Sequence, residues 1–444
     1  MNVSLKLLLI AALVFIALQF VRPGIPAKPA TAELQAPADV KQILSTGCYS
    51  CHSDERRLSW FDQVVPPYWL VRHDVLTARE NLNFSTLGSQ PASAQRGVLY
   101  ESINMVQLGA MPLPQYIKLH PEAKLTSQDI ATLKAYLAPW SSTPPLGASR
   151  DHSDERARVN LAAVQPEFNG LSFDPAFGSW KLISTTDRGD NNTFRFILGN
   201  DVAIEAVRSG NISPWPDGAR LAKIAWQQES GPDGLIHPGA FIQVELMVKD
   251  ASRFRTTDGW GWGRWRGLDL KPYGHDAHFV DECTMCHMPV RGNDAVYTLP
   301  ITTVPIARRE VVNNRAATLP SSLPYQPLAW SAITMYVNPM DHTTATLYGN
   351  ERAMQAAHAN NKTDLTAYAP GAVLALVTWA QRDDPHWFGA RIPDAPRSIE
   401  FLEVGVTTTY RKFAGATAGE ESTPISLAQE RKKFILSLTP VELP

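Results

Sequence analysis

The 444-residue chain has few cysteines, only four, and no excess of either charge, since 41 basic against 43 acidic residues give a formal net charge of −2. The charge balance removes the electrostatic ground for a nucleic-acid partner. So few cysteines in a chain this long exclude a disulfide-stapled scaffold. A length of 444 residues with 44% apolar content predicts two to four domains with real cores, not a disordered or low-complexity chain. Thirty-four prolines and twelve tryptophans point to loop-rich, β-containing domains with large aromatic side chains to wall a pocket.

All four cysteines fall in two CysXxxCysHis motifs, Cys48-Tyr49-Ser50-Cys51-His52 and Cys283-Thr284-Met285-Cys286-His287. Such a motif attaches c-type haem: the thiolates bond to the porphyrin vinyls and the adjacent histidine ligates the iron. The competing explanations are a zinc site or a disulfide pair. A four-cysteine zinc site would have to join opposite halves of the chain and would leave His52 and His287 without a reason. Two covalent haems are therefore expected, with Cys48, Cys51, Cys283 and Cys286 as attachment points and His52 and His287 as iron ligands.

Covalent attachment of haem is an extracytoplasmic chemistry in bacteria, and the N-terminus agrees. Lys6 precedes an apolar run from Leu7 to Val21, broken only by Gln19 and followed by Arg22 and Pro23. The small-residue site Ala30-Thr31-Ala32 lies far beyond that run, and fifteen residues are short for a span. Residues 1–32 are read as a signal peptide or membrane anchor, leaning to an uncleaved anchor, with the rest of the chain in the periplasm.

The expected fold class is α+β and multidomain: a helical c-type cytochrome domain, then two related antiparallel-β-rich domains with flanking helices. The domain at 33–140 has helical spacing at Asp39 to Gly47, Ala94 to Val106 and Ser127 to Leu137. Ser141 to Asp154 is rich in Pro, Ser, Gly and charge, which puts a linker at 141–166. From Phe173 the pattern alternates, and it repeats. Trp180, Gly199-Asn200 and Gly218 to Trp226 recur at matching spacings as Trp330, Gly349-Asn350 and Gly371 to Trp379. The copies occupy 167–310 and 311–444; at aligned positions Lys223 becomes Leu376 and Arg195 becomes Ala345, and the second copy has no haem motif.

For the first haem, Met111 stands in Gly109-Ala110-Met111-Pro112-Leu113-Pro114, a proline-braced loop suited to presenting a thioether as the second iron ligand. Met105, His73 and His120 are the alternatives. His/Met ligation closes the iron and makes an electron carrier. The motif, Pro66-Pro67-Tyr68-Trp69-Leu70-Val71, Asn81 to Ser85 and the Met111 loop resemble a family of small haem-binding c-type cytochromes, over about 19–140.

Around the second motif, Lys223 sits in a strand-like run with Leu221, Ala222, Ile224 and Ala225, where an amine needs something to reach; a surface lysine on an edge strand is the plainer reading. Lys249 and Lys271 lie at turn-like or Pro-flanked positions. In Phe241 to Val248, alternation places Phe241, Gln243, Glu245 and Met247 on one face and the aliphatic residues on the other. A carboxylate on such a face can take protons, its pKa raised by apolar walls; a solvent-facing glutamate is the alternative. Arg195, between Phe194 and Phe196, is a candidate to steady a propionate or a ligand, or an ordinary surface arginine.

Arg195 to Asn200, Pro214 to Gly218, Ala222 to Trp226, Gly259 to Trp265, Leu270 to Gly274 and the second motif resemble cytochrome P-460, whose members oxidise hydroxylamine, and its relative cytochrome c′-beta, which binds nitric oxide. The resemblance implies an antiparallel β domain whose haem has His287 on one face and an open position on the other, a lysine bonded to the porphyrin edge, for which Lys223 is the candidate, and a distal carboxylate, carried to Glu245. It also implies a homodimer, with the haem-free copy taking the partner's place as an intrachain pseudo-dimer; an independent binding module using Trp379, His386 and Trp387 is the alternative. The expected function is oxidation of hydroxylamine, or conversion of nitric oxide, at the second haem, with electrons leaving through the first to an external redox protein. A nitric-oxide-binding protein without turnover is the second reading. A pure electron carrier, with Met247 closing the second iron, is the third.

Overall fold

The computed structural model describes residues 3–55, 57–138, 159–302, 313–359 and 368–444. The expected linker up to residue 158 and the expected boundary between the copies at 310/311 lie outside the described residues. The chain divides into the units Met1–Ser141 and Ser142–Pro444.

Helices build the first unit. α1 (Val3–Leu18) is followed by α2 (Ala38–Gly47), which runs into α3 (Tyr49–His52), the first haem motif. α4 (Pro67–Asn81) opens on a proline, whose fixed φ and missing N–H suit a first turn. α5 (Ala92–Gln107), α6 (Pro114–Ile117) and α7 (Ser127–Leu137) complete the set. At α7, Thr126 accepts from the Asp129 amide while Asp129 accepts from the Thr126 amide, a reciprocal cap that fixes the helix start. Val40 and Leu44 of α2, Leu99 and Ile103 of α5 and Leu133 and Leu137 of α7 line an apolar cleft that Cys48 also enters.

The second unit begins with β1 (Lys181–Arg188), β2 (Thr193–Gly199), α8 (Asp201–Ser209), β3 (Arg220–Ser230), β4 (Ile236–Lys249), β5 (Trp260–Arg266), β6 (Lys271–Pro272) and α9 (Phe279–His287), the second haem motif. The haem-free copy follows as β7 (Ser331–Asn338), β8 (Thr343–Gly349), α10 (Glu351–Ala359), β9 (Val373–Asp383), β10 (Ala390–Glu403), β11 (Thr409–Ala414), β12 (Glu420–Glu421) and α11 (Ile425–Ser437). The shared signature has a physical cause. Asn200 accepts from the Ala203 amide and donates to the Gly218 carbonyl, and Asn350 does the same with Ala353 and Gly371. Gly218 and Gly371 sit at φ +87° and +92°, where a Cβ is strained.

Each copy makes an antiparallel four-stranded run, β1-β2-β3-β4 and β7-β8-β9-β10. The runs meet twice, at Ile236↔Val337 and at Asp187↔Arg391 with Ala390↔Arg188, so the eight strands close on themselves. The two contacts are reciprocal, the start of the fourth strand of one copy meeting the end of the first strand of the other, as in a two-fold interface. Phe194, Phe196, Trp226, Val244 and Trp265 from one copy and Tyr348, Trp379, Ile399 and Phe401 from the other share the core between the sheets. The outer faces carry separate clusters: Ile197, Leu221, Trp260, Trp262 and Cys283 in the first copy, Leu347, Leu376, Leu402, Ile435 and Leu438 in the second. The chain is thus an α+β multidomain protein, helical first and barrel-rich after.

The expected face of β4 needs one correction. The register of β3 with β4 shifts between Ala225↔Gln243 and Trp226↔Phe241. This bulge turns Phe241 into the inner core with Val244 and Leu246, while Ile242 is only half-buried. Gln243, Glu245 and Met247 keep the outer face.

Candidate functional site

Register sets the site. Ile197↔Lys223, Lys223↔Glu245 and Glu245↔Arg264 are cross-strand pairs, so β3, β4 and β5 lay Lys223, Glu245 and Arg264 side by side on the outer face. Lys223 Nζ lies 2.5 Å from Glu245 Oε2, and Arg264 Nε lies 3.4 Å from Oε1. Gln243 also donates to Oε1. Arg264 Nη1 continues 3.1 Å to Glu282 on α9, whose other oxygen accepts from Tyr273 at 2.9 Å. One chain of polar contacts therefore links β3 to the helix bearing Cys283, Cys286 and His287.

Lys223 lies on a central strand, not an edge, and its side chain is 27% exposed. Burial pulls its ammonium down to about 8, against the pull of Glu245 and helped by Arg195 and Arg264. Lys249 is engaged elsewhere, 2.8 Å from Asp294, and Lys271 is exposed beside Asp269. At Glu245 the expectation of a raised pKa is overturned. Burial does work upward, but Lys223, Arg264 and Arg195 outweigh it and hold the carboxyl at about 2. Glu245 gathers several cations, whereas Lys223 has one carboxylate and two guanidiniums for neighbours. The pair therefore sits firmly ionised at the glutamate end and weakly at the lysine end.

Arg195, on β2 beside Lys223, is brought to about 9 by burial first and the nearby Arg188 second. Among the described residues, its buried Nε has no hydrogen-bond partner, and neither does the buried Nε1 of Trp262, one ring contact (5.9 Å) from His287. Orphaned donors in a pocket fit a group that is bound there.

His287 gives Nδ1 to the Ala295 carbonyl at 2.7 Å, which orients the ring and leaves Nε2 as the free lone pair a metal needs. His52 turns Nδ1 to the Leu82 carbonyl at 3.1 Å and is also hydrogen-bonded to the backbone of Ala78. Burial lowers the pKa of both rings, His287 to about 4, so both stand neutral and ligand-ready. Burial also raises Cys48 to about 12, Cys51 to about 11 and Cys283 to about 12, so these are not reactive surface thiols. The donor sets, the apolar cleft at Cys48 and the orphaned donors fit haem. Met111 lies half-buried on its loop, its amide bonded to the Met105 carbonyl. Of the alternatives, His73 is exposed, and His120 has both ring nitrogens occupied, by Asp62 at 3.0 Å and Glu122 at 3.1 Å.

The haem-free copy reaches this site. Tyr297 packs edge-on against His287 at 5.4 Å and donates to the Cys286 carbonyl at 2.6 Å. His386, from the β9–β10 turn, donates Nδ1 to the Tyr297 carbonyl at 2.7 Å, and Trp387 packs on the Tyr297 ring at 5.6 Å under Arg188 at 4.4 Å. Trp379 is core, its Nε1 donating to the Ala317 carbonyl. In the haem-free copy, Leu347↔Leu376↔Glu400 matches Ile197↔Lys223↔Glu245. The carboxylate is kept at Glu400, but its cation is Arg431 of α11, bidentate at 2.8 Å, with Tyr410 at 2.7 Å. Sequence reasoning placed Gln243 on the face of Glu245 but missed Arg264, Glu282 and Glu400. Arg264 was signalled by a charge at an outward position of the tryptophan-rich strand; Glu400 was hidden because longer loops shift its spacing from the haem-bearing copy.

Residues 13–139 match the family described as Haem-binding domain, and residues 175–298 match Cytochrome P460. No curated protein matches the chain. It is a haem cytochrome in which a haem-binding domain precedes a cytochrome P460 domain.

Proposed function

We propose that the chain oxidises hydroxylamine, or converts nitric oxide, at a c-type haem on Cys283, Cys286 and His287, and exports electrons through a second c-type haem on Cys48, Cys51, His52 and Met111 to an external redox protein in the periplasm. What carries this reading is the Lys223–Glu245–Arg264 row, tied through Glu282 to the haem-motif helix. Gas storage or electron relay has no use for a held carboxylate; removing electrons from an N–H compound also releases protons, which need an acceptor.

Held by Cys283, Cys286 and His287, the haem would supply iron redox chemistry and a route for electrons. Glu245 takes the proton at a carboxylate oxygen, positioned by Arg264 and Gln243 on Oε1. Lys223, an amine made easy to deprotonate by burial, would be the residue joined to the porphyrin edge, an N–H and a ring C–H giving way to an N–C bond while a peroxide takes up the two electrons and two protons and leaves as water. With its nitrogen conjugated to the ring it would no longer offer Glu245 an ammonium, so the carboxylate's proton affinity would climb from its low starting value. Arg195 steadies a propionate or the substrate's oxygen. The haem-free copy stands in for a homodimer partner, a role supported by the reciprocal strand contacts and by His386 and Trp387 behind Tyr297.

Mass spectrometry of the digested holoprotein tests the reading. The haem peptide around Cys283 is expected to carry a second peptide containing Lys223, and hydroxylamine to reduce the haem, with Glu245→Gln slowing that reduction by about 10²–10⁴-fold. A single-peptide haem that binds nitric oxide and is not reduced by hydroxylamine would make the protein a gas-binding cytochrome.

A further inference from the structure

The N-terminal segment is bonded into the helical unit beyond its apolar helix. The Gln19 side chain donates to the Val65 carbonyl and accepts from the Val65 amide, both at 2.9 Å, pairing with a residue that is fully buried. Arg22 donates to the Gln63 carbonyl at 2.8 Å, Trp69 Nε1 to the Val21 carbonyl at 2.9 Å, Tyr68 to the Pro23 carbonyl and Arg79 to the Pro26 carbonyl. Ile25, 7% exposed, packs with Val65, Tyr68 and Val75. Even the small-residue site is tied down, since the amides of Thr31 and Ala32 both donate to the Ser85 carbonyl. Removing residues 1–32 would take Ile25 out of that cluster and strip Val65, Tyr68 and Trp69 of these partners, leaving Arg79 with the Glu55 carbonyl at 3.2 Å.

α1 buries no residue fully, and only Leu18 at its end packs, half-buried, on that cluster. Leu7, Leu8, Leu9 and Ile10 are consecutive, so they point around the whole helix, and they are 62%, 67%, 47% and 58% exposed. A helix apolar on every side does not suit a groove on a protein, which covers one face; it suits a medium apolar all round. Phe20, Val21, Trp60, Trp69 and Leu70 are exposed as well, and Trp69 is bonded to Val21. Amphipathic tryptophans of this kind settle where lipid meets water.

We infer that the mature protein keeps its N-terminal helix, lodged in a lipid bilayer, with residues 19–28 strapping the haem-binding unit to the membrane surface. Among the described residues no helix is long and apolar enough to cross a membrane; at about 1.5 Å per residue, the 16 residues of α1 cover about 24 Å of a hydrocarbon core of roughly 30 Å. The anchor therefore inserts, with Phe20, Val21 and Trp69 at the boundary.

The full chain is expressed in a Gram-negative host that attaches c-type haem, its membranes are separated, and the intact mass of the haem-bearing protein is measured. The expected result is a chain retaining residues before Ala30, found with the membranes, released by detergent and not by high salt. The detergent-purified protein should also float with phosphatidylethanolamine–phosphatidylglycerol vesicles, and Leu8→Gln/Ile10→Gln/Leu13→Gln should cut flotation at least tenfold with the haem absorbance per chain unchanged. A mature chain starting at or after Thr31, or a retained helix that does not float, overturns the inference.

Discussion

Glu245 concentrates the electrostatic tension of the site. Its folded pKa of about 2 lies below the ordinary 4.5, so the stability it contributes is present above about pH 4.5 and is lost as the pH falls from there toward 2. The Glu245→Gln variant should therefore show a flatter decline of unfolding free energy across that window, the difference being on the order of 1–3 kcal/mol. Denaturant melts of both proteins made without haem, so that Lys223 is a free amine, at pH steps between 3 and 6 measure it. Parallel curves would mean that the Lys223 and Arg264 contacts do not hold the carboxylate ionised. Lys223 runs in the same sense at the other end of the scale: its folded pKa of about 8, below the ordinary 10.5, makes the fold gain stability as the pH rises between those values.

At the scale of elements, α9 and α11 are the instructive pair. Each follows the short outer strands of its copy and faces its outer sheet; one carries the haem motif, the other packs Ile435 and Leu438 onto that sheet and bonds Arg431 to the buried Glu400. Arg431→Met should cost about 3–5 kcal/mol, because it leaves a carboxylate that is 3% exposed without its cation. Glu400→Leu with Arg431→Met should recover most of that loss in urea unfolding; equal instability of both variants would show that the helix docks by apolar packing alone. Much of this architecture was legible in the sequence. The helices around the first motif, the β texture after Phe173, the paired Trp and Gly-Asn signatures and the register loss of Lys223 to Leu376 all follow from periodicity and spacing. Phe241 was misplaced because a bulge breaks alternation without leaving a mark in residue type. The depression of Glu245 was missed because strand neighbours such as Arg264, distant in sequence, set its charge environment.

For the whole molecule, the two copies are bound by exchange. Leu235 of the β3–β4 turn packs against the outer cluster of the haem-free copy, and His237 lies 6.1 Å from Tyr336, while His386 and Trp387 of the matching turn brace Tyr297 behind His287. Trp387→Ala should shift the reduction potential and the ligand-sensitive absorption of the second haem while leaving the first haem's unchanged, at a stability cost of about 2 kcal/mol. Redox titration with the two haems resolved checks this, and equal shifts in both would point to general loosening.

The closure of the eight strands also sets a timetable for making the protein. Asp187 finds Gln381 across 194 residues of chain, and Trp387 finds Asp190 across 197. Contacts that distant form late, after the loop between them has been ordered. Because the chain is made from its N-terminus, the motif at Cys283 exists well before β9 and β10, so the haem-bearing copy stands as an open half of the ring until the haem-free copy closes it.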